Sequence, residues 1–148
     1  MIVTGFLSDC VKITKCADHT TAGTTDVEGL GVDMTGYDGV LFVTSFGTAN
    51  ANNSVEAQVS DAVGGTYAAL TGTLVASGTS DEDVWLDITG GVADATKPWI
   101  KLHVERGTSS TLESIWAIQY KARSLPIDNT ISGTIIGEQH NRPIEGTA

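Results

Sequence analysis

Val40-Leu41-Phe42-Val43-Thr44-Ser45-Phe46 is apolar on both of its faces. A β-strand sends successive side chains to opposite sides. A run apolar on both sides suits a strand at the middle of a sheet, covered above and below. The turn before it, Thr35-Gly36-Tyr37-Asp38-Gly39, and the small polar residues 47–53 after it bound the run at strand length.

Working outward, the same signature recurs. Ser54-Val55-Glu56-Ala57-Gln58-Val59-Ser60 alternates, with Val55, Ala57 and Val59 set for a core and Glu56 and Gln58 for water. Val84-Trp85-Leu86-Asp87-Ile88 alternates, and so do residues 98–106. Residues 112–121 read as one long strand apolar on both faces, stopped by Pro126. Residues 9–15 read as a first strand, 17–29 as turns, and 67–70 and 73–77 as short strands. About eight strands at this spacing, without intervening helical periodicity, predict an all-β fold. The expected architecture is an antiparallel β-sandwich of jelly-roll type.

The body ends at residue 126, and residues 127–148 have a different texture. Ile127, Ile131, Ile135, Ile136 and Ile144 are spread among glycines and polar residues, with no aromatic. This is too sparse for a core of its own and too apolar for a solvating tail. It reads as an extended C-terminal arm whose isoleucines are separate anchors on a neighbouring subunit or a larger assembly.

The net charge is −10, and twelve acids but no Lys or Arg lie between Lys15 and Lys97. Such a surface disfavours nucleic acid, whose phosphates need a basic patch. No apolar run approaches the roughly 20 residues that span a bilayer. The N-terminus has no basic segment ahead of an apolar one, so synthesis in the cytoplasm is expected. Cys10 and Cys16, if on one strand, stand about 20 Å apart. That is beyond disulfide reach, and free thiols are expected.

No reaction chemistry emerges. His19, His103 and His140 share no metal-ligand spacing, and neither a phosphate-cradling glycine motif nor a nucleophile elbow is present. No enzyme, cofactor or metal is therefore expected. Asp81-Asp83, with Glu82 between them, is a solvated loop tip first and a calcium ligand set second. Trp85 and Trp99 are predicted on the outside of the sandwich, as surfaces covered by loops or the arm, as a subunit interface, or as a sugar-stacking pair. Trp116 is expected in the core.

Val32-Asp33-Met34-Thr35-Gly36-Tyr37-Asp38-Gly39-Val40, and the stretch from Pro98 through Trp116-Ala117-Ile118-Gln119-Tyr120-Lys121-Ala122-Arg123 to Pro126, carry a resemblance. The pattern resembles the head decoration, or cement, proteins of tailed bacteriophages, over residues 25–126 as an ordering of strands and turns. The resemblance implies a β-sandwich body, a trimer or other homo-oligomer, the major capsid protein as partner, and a place on the capsid surface of the virion. Another virion component (neck, tail or baseplate) and a carbohydrate-binding module are the competing expectations.

Overall fold

The computed structural model describes residues 5–49, 51–89, 96–107, 109–129 and 135–139. Within them a 3-10 turn at Leu7–Asp9 precedes β1 (Lys12–Ala17), β2 (Thr20–Gly23), β3 (Val27–Glu28), β4 (Val32–Asp33), β5 (Gly39–Phe46) and β6 (Asn53–Ser60). Then follow β7 (Ala68–Ala69), β8 (Val75–Ser77), β9 (Glu82–Thr89), β10 (Trp99–Glu105), β11 (Ser110–Leu112) and β12 (Ile115–Tyr120).

Several short strands join into longer runs. β3 and β4 both pair with β10, β7 and β8 both pair with β6, and β11 and β12 both pair with β5. β1 and β2 lie in the same way along β12 and β11. The first sheet is therefore β1/β2, β11/β12, β5, β9, and the second is β3/β4, β10, β6, β7/β8. Every described pairing is antiparallel. The chain changes sheet at each connection except from β6 to β7/β8 and within the merged runs. That is the two-Greek-key order of a jelly roll, and the all-β sandwich read from the sequence is the fold.

Alternation decides which side chains meet between the sheets. Val40, Phe42 and Phe46 of β5, Val55 and Ala57 of β6, and Leu102 and Val104 of β10 are at most 1% exposed. Burying one such side chain contributes about 1.5–3 kcal/mol. Polar groups inside are bonded. The Arg106 guanidinium donates to the carbonyls of Thr25, Thr21 and Ser110 at 2.6, 2.7 and 3.0 Å, pinning the β2–β3 connection to β11.

Several boundaries differ from those read in the sequence. The first strand begins at Lys12, because Leu7–Asp9 winds into a 3-10 turn. The supposed turn region 17–29 contains β2 and β3. The long strand over 112–121 is two strands, with Glu113 and Ser114 between them. Its ladder ends at Tyr120, before Pro126, because Lys121 takes a left-handed φ of 52°. Cys10 and Cys16 are free and buried. Burial pushes the Cys16 thiol up to about 12 against a hydrogen bond from the Ala117 backbone that lowers it.

The second sheet's β3 edge is tied by charge. Glu28 sits opposite His103, accepts from His103 Nδ1 at 2.8 Å and pairs with Lys101. Burial raises the Glu28 carboxyl, but the bonds from Lys101 and His103 outweigh it and leave the pKa below its ordinary value. A depressed carboxylate stabilises the fold above its unfolded pKa, and the contribution disappears as pH falls through the folded one. Glu28 is largely exposed, so screening keeps the effect small. We expect the difference in Tm between wild type and Glu28→Gln to be largest at neutral pH and to close from about pH 5 to about pH 3. Thermal melts across that range check it, and a gap independent of pH would contradict it.

Candidate functional site: the outer face of the first sheet and the C-terminal arm

The two strands apolar on both faces, β5 and β12, lie side by side. Their inner residues make the core, so their outer residues make an apolar surface. Register assigns it row by row. Val43 stands opposite Trp116 on β12 and opposite Trp85 on β9, and Trp116 stands opposite Lys15 on β1. The next outward row is Asp87, Leu41, Ile118 and Ile13. Beyond it, Gly39 faces Thr89 and Tyr120.

Gly39 is required there. A Cβ on it would lie 2.3 Å from Tyr120 Cζ, so the Tyr120 ring rests on bare backbone. The Tyr120 hydroxyl reaches across β5 and donates to Asp87 Oδ1. Burial, then that bond, raises the Tyr120 phenol above its ordinary value.

The arm comes back to the β1 side of this face. Ile127 N–H donates to the Asp9 carbonyl at 2.8 Å. Asn129 acts as a plug. Its Oδ1 accepts from Ile13 N–H at 2.8 Å, and its Nδ2 donates to the carbonyls of Ser8 and Val11 at 2.7 and 2.8 Å. A sheet edge exposes unpaired N–H and C=O groups, and one amide side chain here satisfies both kinds. Gln139 Nε2 donates to Ser8 Oγ and Asp9 Oδ1, each at 2.7 Å. Ile127, Ile135 and Ile136 line a cleft of about 590 Å³ with Ser8, Ile13 and Trp116.

The residues singled out by sequence divide as follows. Ile127 and Ile135 are half-buried in that cleft, and Ile136 is 86% exposed. Ile131 and Ile144 lie outside the described residues. Trp85 is 67% exposed on β9. Trp99 is half-buried on the outer side of the other sheet, paired with Ser60 and Asp33. Trp85 and Trp99 therefore form no common site. Trp116, expected in the core, is on the outer face, because Ile115, Ala117 and Gln119 take the inner positions. The alternation of β12 carried that signal, and the apolar character of both faces hid it. Asn129 was not foreseen, since an edge plug is legible only once its three partners converge.

Among the described residues, no group of three or more His, Cys, Asp or Glu is placed to hold a metal ion. Asp81 takes a left-handed φ of 59° and its N–H caps the Gly47 carbonyl, while Glu82 accepts from Ser77. Among the described residues, no helix is long and apolar enough to cross a membrane.

Among solved structures, the chain is similar to the SPBc2 prophage-derived protein YomS, with a TM-score of 0.46 and 15% identity over 80% of this chain and 97% of that one. No family model matches the chain, and no curated protein matches it.

Asn129→Ala removes three hydrogen bonds and leaves backbone groups of the β1 edge unpaired. The expected loss is about 1–3 kcal/mol by urea denaturation. Asn129→Asp at neutral pH should lose at least as much, because a carboxylate only accepts and would face two carbonyls. An Asp variant as stable as wild type would show that the two Nδ2 bonds contribute nothing.

Proposed function

We propose that this chain is a structural protein of a tailed-phage particle, a decoration or cement protein that binds the outside of the capsid shell as a homo-oligomer and stabilises it. The observation that carries the reading is the apolar surface around the arm's seat. Leu7 and Leu125 each lie two residues before a partner of the bond between Asp9 and Ile127, and both are more than half exposed. Ile136 lies three residues before Gln139, which bonds Ser8 and Asp9, and is the most exposed of the large apolar side chains described. Exposed apolar side chains so close in sequence to the arm's bonds suit a protein-binding surface.

The resemblance of residues 32–40 and 98–126 to decoration proteins supplies the partner, the major capsid protein, and the oligomer, a trimer. A symmetric oligomer presents several such surfaces at once, and their effective concentration turns weak contacts into firm attachment. Binding only the assembled shell then stabilises it by mass action. Attachment falls at the β1 edge of the first sheet; among the described residues, no strand pairs with the other edge of β9.

Co-sedimentation with empty expanded heads, with mass in solution measured alongside, tests this. Ile136→Asp, and a chain ending at Asn129, keep the Asn129 plug and should stay folded. Both should bind heads at least about tenfold more weakly, the loss expected from removing one anchored contact of about 1.4 kcal/mol. Wild-type protein that fails to bind heads, or truncated protein that binds as tightly as wild type, would overturn the reading. Label found at one vertex of intact particles would replace decoration with a neck, tail or baseplate role.

A further inference from the structure

We propose that the outer face of the first sheet carries a binding site for a neutral oligosaccharide, built on Trp85 and Trp116. The site runs from Trp116 on β12 towards the β9 edge; it shares Trp116 with the arm's cleft but needs no contact with a capsid.

The platform follows from register. Val43 pairs with Trp116 on one side and Trp85 on the other, so the two indoles flank it in one cross-strand row. The backbones that carry them are two strand spacings apart, about 9–10 Å. That distance spans about two linked sugar rings. Trp85 is two-thirds exposed, although a large aromatic left in water forfeits much of the stabilisation its burial would give. Trp116 is backed on its β1 side by the cleft that Ile127 and Ile135 share with it. Val43 lies on its other side.

Hydrogen-bonding groups accompany the rings. A second cleft, about 320 Å³, lies beside Trp116 and is lined by Ser45, Ser114, Asp83 and Glu113. This is the lower end of the size range of small-ligand pockets. Glu113 is positioned from two sides: its N–H donates to the Ser45 carbonyl at 2.8 Å, and its Oε2 lies 3.2 Å from His19 Nδ1. Asp83 and Asp87 stand two residues before and after Trp85 on the same side of β9. Carboxylates only accept hydrogen bonds and hydroxyls both donate and accept. Aromatic faces set among such groups match a sugar, which offers C–H faces to the rings and O–H donors to the carboxylates.

The alternatives fit less well. Cores of protein interfaces are depleted of charge, whereas here acids alternate with the aromatic row. Anionic ligands, sulfated glycans included, meet Asp83, Asp87 and Glu113, and the row's Lys15 is already paired with Asp18.

The test uses the full chain, free in solution, titrated with cellotetraose, chitotetraose and maltotetraose. A heparin tetrasaccharide and a lysine-rich peptide serve as comparisons, with tryptophan fluorescence and calorimetry as readouts. At least one neutral tetrasaccharide should bind and shift the tryptophan emission, while heparin should not bind. Trp85→Ala should raise Kd about tenfold, the size expected for losing one aromatic contact, and Trp85→Phe should raise it less. Trp85 is largely exposed and its cross-strand contact with Val43 contributes little, so both variants should stay folded with at most a small loss in Tm. Asp83→Asn and Glu113→Gln test the acceptors if Trp116→Ala fails to fold. The proposal is overturned by binding of none of the neutral sugars, by binding that survives Trp85→Ala unchanged, or by binding of the lysine-rich peptide alone. None of these readouts involves capsids, so failure here leaves the attachment question separate.

Discussion

β5 has to be covered twice. Its inner residues Val40, Phe42 and Phe46 are at 0% exposure beneath the second sheet, and this packing holds the sandwich together. Among the described residues, no third sheet lies above its outer residues Leu41 and Val43. The molecule shields them sideways with large neighbours: Trp85 and Trp116 beside Val43, and Ile118 beside Leu41. At the strand's start Tyr120 lies on Gly39. The aromatic outer face, the bare glycine and the returning arm all answer this one demand.

The arm and the face are therefore one construction with two edges. At the β1 edge, Asn129 closes backbone groups that an open sheet would offer to any passing strand. At the β9 edge, the face stays accessible, with acids interleaved among the rings. A continuous sheet holds the two edges apart. β5 and β12 form its middle, buried on their inner side and flanked by aromatics on the outer.

Much of this was legible in the sequence. The apolar run 40–46 gave the central strand, and the alternation in 54–60 and 98–106 gave the core faces of β6 and β10. What alternation could not assign was the sidedness of a strand apolar on both faces. Trp116 was accordingly expected inside and stands outside. The register shifts at Lys15/Ala17 and Ser110/Leu112, close to the breaks in β1/β2 and β11/β12, were hidden for a different reason: a pairing property has no local signal. The isoleucines of the arm drew attention by hydropathy, yet its described fixing point is a polar residue. Asn129 bonds three groups more than 110 positions away in the chain.

The account rests on the arm closing the β1 edge through that side chain. Hydrogen exchange at the Ile13 amide tests it most directly. This N–H sits on an edge strand and owes its protection to Asn129 Oδ1 at 2.8 Å. In the full chain it should exchange far more slowly than an unbonded edge amide, and Asn129→Ala should release it while the amides of β5 stay protected. An Ile13 amide that exchanges rapidly in the wild-type chain, or that is indifferent to Asn129→Ala, would contradict the account.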